Sequence, residues 1–129
     1  MMLVRTYLAP SHIHGIGLFA AEDIPAGTLL WRFWPGLDFE YDQAFIDSLP
    51  ALARAKVLAY CSRDEGDRGY LFCGDDARFW NHADEPNTVD GYLPGTEEWA
   101  VYAARDIPAG EELTCDYREF DQEARERGI

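Results

Sequence analysis

Apolar residues along most of this chain come in short runs closed by Gly, Pro, Asp or Asn, the pattern of strands joined by turns. Leu3–Leu8, Leu29–Trp34, Tyr70–Cys73 and Trp99–Ala103 are predicted strands, the last two rich in aromatic and apolar residues that suit a pleated surface. Pro35-Gly36 closes the second run, and Thr88–Leu93 is a weaker strand ending at Pro94-Gly95. Helical patterning is confined to the middle. Asp42 is placed to cap a short turn over Gln43–Asp47. Pro50 suits the first turn of a helix over Ala51–Tyr60, where Leu52, Ala55, Lys56 and Ala59 share one face. Ser62–Gly69 reads as a polar loop and Asp121–Arg127 as a short polar terminal helix. The pattern predicts an α+β fold, mostly β, with one small helical insert over about 42–62.

One phrase occurs twice. Ala20-Ala21-Glu22-Asp23-Ile24-Pro25-Ala26-Gly27 returns as Ala103-Ala104-Arg105-Asp106-Ile107-Pro108-Ala109-Gly110. Pro suits position i+1 of a type I turn, and Gly suits i+3 or a left-handed bulge. Each copy therefore predicts a strand–turn–strand connection. Two copies cannot build a solenoid, so the simplest reading is one turn chemistry used twice.

Length and composition then set bounds. A chain of 129 residues with 47% hydrophobic content predicts a single domain over 1–129 with a real core. No apolar run approaches the ~20 residues of a membrane span. Met1–Leu8 is too short an apolar run for a secretory signal, so the expectation is a soluble, cytoplasmic protein with no membrane contact. The three cysteines, Cys61, Cys73 and Cys115, show no C-x-x-C spacing and read as small core hydrophobes, without a structural metal. The net charge of −13 argues against direct nucleic acid binding and favours a cationic partner.

Three segments are unusual for a plain β domain. In His14-Gly15-Ile16-Gly17 the two glycines let a backbone approach a ligand closely, but the third glycine of a dinucleotide site is missing. Arg78-Phe79-Trp80-Asn81-His82-Ala83-Asp84-Glu85-Pro86-Asn87 sets an amide that both donates and accepts beside an imidazole. Gly110-Glu111-Glu112-Leu113-Thr114-Cys115-Asp116-Tyr117 is a turn feeding a strand that ends in Asp-Tyr.

These three motifs, in this order, resemble the SET domain, the β-rich protein-lysine methyltransferase family, in its minimal bacterial or viral form. The resemblance implies several small sheets (a β-clip-like fold) and a knot-like threading of the C-terminal segment. It implies S-adenosylmethionine as cofactor, met by the backbone of Gly15, Ile16 and Gly17, by the Asn81 amide, and by His82 mainly through its backbone. Tyr117 is implied as the catalytic tyrosine, and Arg78 and Asn87 as supports of the threaded segment. Ala83 stands where the family usually has serine, and Cys115 where an aromatic residue often limits the number of methyl groups. The residues after Tyr117 hold no cysteine, so the site is expected to be closed without the zinc-binding tail of many relatives. The tail 118–129, with Phe120 against the adenine, is expected to cover the cofactor; a second subunit, giving a homodimer, is the other candidate.

The implied chemistry suits such residues. Freeing a lysine lone pair at pH 7 costs about 4.6 kcal/mol from a reference pKa of ~10.4. An apolar channel and a nearby sulfonium lower that cost, and alignment does the rest. The expected partner is a basic, lysine-containing protein or peptide. Two other readings remain: a SET-like cofactor- or peptide-binding module without activity, and an unrelated β domain holding a metal through His12, His14 and His82.

Overall fold

The computed structural model describes residues 1–63, 69–119 and 121. Among the described residues ten short strands form four small sheets, and two α-helices lie in the stretch between β4 and β5. Strands β1 (Thr6–Pro10) and β2 (Ile16–Ala20) pair antiparallel. Strand β3 (Leu29–Arg32) joins a sheet of order β3-β9-β8, with β8 at Thr88–Tyr92 and β9 at Trp99–Ala103. Strand β4 (Asp38–Tyr41) joins β5 (Cys61–Arg63) and β6 (Tyr70–Cys73) in the order β4-β6-β5. The last sheet is a parallel pair, β7 (Asn81–His82) with β10 (Thr114–Cys115). Leu18, Ile24, Leu30, Trp31, Ile107 and Leu113 are the fully buried centre of the core these sheets share. Among the described residues no helix is long and apolar enough to cross a membrane.

Helix α1 (Gln43–Ser48) starts where Asp42 accepts from the Phe45 N–H at 2.8 Å, as the capping residue predicts. Helix α2 (Ala51–Tyr60) also lies where the pattern put it, but on a different face. Leu52 is 73% exposed, and Ala55, Lys56 and Ala59 are exposed with it. The half-buried residues are Ala53, Arg54 and Val57. The Arg54 guanidinium fixes this rotation by donating to the Asp47 and Leu49 carbonyls at 3.1 and 3.0 Å, satisfying the end of α1. The predicted first strand shifts to Thr6–Pro10 because its partner β2 spans only Ile16–Ala20. The strand Cys61–Arg63, paired to β6, takes in the first two residues of the predicted polar loop Ser62–Gly69. His12 and His14 lie in the connection between β1 and β2, not on a strand face. The predicted terminal helix falls, apart from Asp121, outside the described residues.

The duplicated phrase proves to be one clasp. Ile24 and Ile107 exchange both main-chain hydrogen bonds at 2.8 Å. The Asp23 carboxylate accepts from the Ala109 N–H at 2.9 Å, and Asp106 accepts from the Ala26 N–H at 2.8 Å. The Gly27 N–H donates to the Ala103 carbonyl and the Gly110 N–H to the Ala20 carbonyl, each at 2.8 Å. The two copies thus face each other with local two-fold symmetry. Their turns differ from the expected type I geometry. Pro25 and Pro108 sit at position i, with the Thr28 and Glu111 N–H groups closing back on them at 3.2 and 3.1 Å. Gly27 and Gly110 sit at i+2 with φ of +82° and +89°, the requirement of a type II turn.

A Cβ at Gly27 meets nothing, and one at Gly110 meets only the Tyr7 hydroxyl at 4.0 Å. The penalty for alanine at either position is therefore conformational. Gly27→Ala and Gly110→Ala should each lose about 1–2 kcal/mol in chemical denaturation, and by similar amounts. Strongly unequal losses would argue against the symmetry.

Candidate active site

The parallel pair β7–β10 sets Asn81 opposite Thr114 and His82 opposite Cys115. Buried Asn87 holds the incoming strand in place. Its Oδ1 accepts from the Thr114 N–H at 2.9 Å, and its Nδ2 donates to Glu111 Oε2 and to the Glu112 carbonyl, both at 2.8 Å. Its own N–H donates to Thr114 Oγ1 at 3.1 Å, and the Thr88 hydroxyl donates to the Thr114 carbonyl at 2.7 Å. Asn87 is thus the support the resemblance implied. Arg78 is not: it is exposed, with its guanidinium 5.1 Å from the centroids of the Tyr60 and Phe79 rings.

Glu112 is the residue that sequence reasoning missed. Its Oε1 accepts from Asn81 Nδ2 at 3.0 Å and its Oε2 from the Ser11 hydroxyl at 3.0 Å. Asn81 Nδ2 also lies 3.1 Å from the His14 carbonyl and 3.4 Å from that of Ile16. The Asn81 amide therefore ties the His14–Ile16 loop to the Glu112 segment. Gly17 is part of the same arrangement. A Cβ there would stand 2.0 Å from Glu112 Oε1. The second glycine makes room for a carboxylate inside the chain, and Gly17 does not border the cavity described below. The signal was present in the sequence as Gly-Glu-Glu, but only the fold shows which glutamate turns inward.

Gly15, Ile16, Asn81, His82 and Tyr117 all border one cavity of about 940 Å³. Phe120 lies outside the described residues. Gly15 has φ +49° and open space where a side chain would be. His82 Nδ1 accepts from the Tyr117 N–H at 3.1 Å, so its lone pair is used there and the ring proton sits on Nε2, 3.4 Å from Asp84 Oδ1. Asp116 Oδ1 is also 3.7 Å from Nδ1, but the shorter contact decides the tautomer. The His82 and Tyr117 ring centroids are 5.3 Å apart. The Tyr117 hydroxyl donates to the Trp80 carbonyl at 2.5 Å. Burial first, then the nearby Cys115, Asp121 and Glu112, push its ionisation far above the ordinary phenol range. Tyr117 keeps its proton and can orient a ligand but not act as a base. Arg118 grips Asp116 through two bonds of 2.7 and 2.9 Å, which together with its charge hold that carboxyl below the usual range.

All three cysteines are free and border the cavity. Burial pushes Cys61 up to about 11 and Cys73 up to about 12, and raises buried Cys115 strongly, so they are inert thiols rather than nucleophiles. Two indole N–H groups in the cavity wall, of Trp31 and Trp80, have no partner among the described residues. No group of three or more metal-ligating side chains occurs among the described residues.

A family profile of the SET domain matches residues 15–118. The chain belongs to the SET-domain family. This SET domain is 34% identical over 134 aligned positions to human histone-lysine N-methyltransferase 2D, covering 92% of the chain and 2% of that protein. It is 35% identical to the H3 lysine-4 specific histone-lysine N-methyltransferase of Schizosaccharomyces pombe, covering 93% of the chain and 13% of that protein. The chain thus spans a small part of the relatives it matches. In fold it is similar to a chain of ctPRC2 in an autoinhibited conformation bound to S-adenosylmethionine, with a TM-score of 0.64 and 23% identity over 96% of this chain and 16% of that one.

Two outcomes test this geometry. Gly17→Ala in the SET domain should displace Glu112 and cost about 1–3 kcal/mol in denaturant, because Ser11 and buried Asn81 lose a half-buried acceptor. Glu112→Gln, which keeps the shape, should cost less. Burial, with Glu119 second, pushes the Asp90 carboxyl in the cavity wall up to about 7. The folded state then binds more protons than the unfolded one between about pH 4 and 7. Stability should fall as pH rises through that window, and Asp90→Asn should flatten the fall when melting is followed against pH.

Proposed function

We propose that this SET domain transfers a methyl group from S-adenosylmethionine to the side-chain amine of a lysine in a protein substrate. The observation that carries the reading is the setting of Tyr117. Its hydroxyl proton is given to the Trp80 carbonyl in the cavity that Gly15, Ile16, Asn81 and His82 also border. The names of the relatives, histone-lysine N-methyltransferases, support a protein lysine as acceptor. A structural neighbour bound to S-adenosylmethionine supports the cofactor.

The residues fit such a ligand. The cavity is within the usual range for small-molecule sites, and its wall is largely apolar and includes two indole donors, of Trp31 and Trp80, with no partner among the described residues. The main chain of Gly15 and Ile16 and the His82 backbone would hold the cofactor. Asn81 would act there chiefly as the brace that fixes the His14–Ile16 loop. The bound cofactor supplies an electrophilic methyl group on a sulfonium. Tyr117 Oη, with its proton committed to Trp80, presents its lone pairs to an incoming amine. The buried wall strips water from that amine and lowers its pKa. The net charge of −13 draws a basic substrate toward the site.

Isothermal calorimetry with S-adenosylmethionine, followed by radiolabelled methyl transfer to basic proteins, tests the reading. Tyr117→Phe should fold, bind cofactor as the parent does, and lose about 10²-fold or more in kcat, since only an orienting hydroxyl is removed. Transfer at the parent rate would show that Tyr117 is not at the reacting centre. Transfer to a basic substrate should also slow as ionic strength rises past about 0.1 M, where the Debye length falls to ~10 Å.

A further inference from the structure

Asp90, a half-buried carboxylate of the cavity wall, has no role in the reading above. Asp90 lies in β8 opposite Val101 of β9. Alternation along β8 puts it on the same side as Thr88, which is bonded to β10, and away from exposed Val89. Asp90 borders the cavity together with Trp99, Cys115 and Tyr117. Its Oδ2 is closed off from solvent and has no hydrogen-bond partner among the described residues. The groups acting on it are the Trp99 indole, which donates to it, the Glu119 carboxyl, which both repels its charge and shares a hydrogen bond with it, and the Asp116 carboxylate; the buried Cys115 thiol beside it is neutral.

A half-buried carboxylate whose charged neighbours are themselves acidic is relieved in one of two ways, by holding a proton or by meeting a cation from outside the chain. We propose that Asp90 receives the cationic amine of the substrate in this cavity and takes a proton from it, leaving the amine neutral beside Tyr117. The identity of that amine, a protein lysine, rests on the methyl-transfer reading. In the step one N–H bond of the ammonium breaks and one O–H bond forms on Asp90. The electron pair of the broken bond stays on nitrogen, and the proton later passes to solvent. Asp90 is suited to the exchange because burial and Glu119 bring its titration to about 7, near the working pH of a general base. Tyr117 cannot serve, since its proton is held by Trp80 and its ionisation is pushed far up.

The test uses the full chain and n-butylammonium as the probe, with n-butanol as the uncharged control. By carbon NMR the Asp90 carboxyl should titrate near pH 7, and saturating n-butylammonium should lower that midpoint by about one pH unit or more. Asp90→Asn, which keeps the shape and removes a buried charge, should bind n-butylammonium at least about tenfold more weakly at pH 8, and n-butanol equally. Titration of Asp90 in the ordinary carboxylate range, or a midpoint indifferent to the amine, or equal amine binding by the variant, overturns the proposal. In methyl transfer to a lysine peptide, the parent kcat should rise with pH through about 7, and Asp90→Asn should lose that limb with cofactor affinity unchanged. Transfer by the variant with the parent rate and profile overturns the role of Asp90 and leaves the methyl-transfer reading standing. No transfer by the parent, with Asp90 still responding to n-butylammonium, removes that reading and leaves the amine site.

Discussion

The reciprocal hydrogen bonds between Ile24 and Ile107 are the constraint on which the rest of the structure depends. They join two parts of the chain far apart in sequence and set Gly110–Leu113 alongside Leu18–Ala20. The Ala20 N–H then donates to the Glu111 carbonyl at 2.9 Å and the Leu113 N–H to the Leu18 carbonyl at 2.7 Å. That pairing brings Glu112 opposite Phe19 and over Gly17. Glu112 in turn is in place to take the Asn81 amide. From there the parallel strands β7 and β10 carry His82 and Tyr117 to the same wall of the cavity. A turn motif of modest local energy thus helps set the positions of Glu112, Asn81, His82 and Tyr117.

The cavity is polar in a particular way. Its thiols and the Tyr117 phenol are held neutral by burial, and the Asp90 carboxyl sits near the boundary between its two states. Outside, charge is plentiful and mostly acidic. Ion pairs such as Arg118 with Asp116, and Arg105 with Glu111, lie at the surface, where solvent screening leaves them little net energy. The organising bonds around the site are amide and hydroxyl groups donating to carbonyls and to the Glu111 and Glu112 carboxylates, with Asn87 satisfied at both ends of its side chain. Such contacts specify geometry because a slip leaves a buried group unpaired.

Much of this was legible in the residues. The aromatic and apolar runs gave β6 and β9 to the residue, and Asp42 gave the start of α1. Local preference determines these features, since a strand or a cap needs only its own side chains and their immediate neighbours. The motifs also named Asn81, His82 and Tyr117, and the structure gathers them. What the sequence could not determine is how its separate pieces face one another. The buried face of α2 follows from where Arg54 finds the end of α1. The function of the repeat follows from the two copies meeting, which neither copy encodes alone. Gly17 serves Glu112, and Asp90 looks into the cavity rather than out, because β10 lies beside β8. Each of these is a contact between residues distant in sequence, and only tertiary packing sets which distant group fills the space that a glycine leaves or a strand face presents.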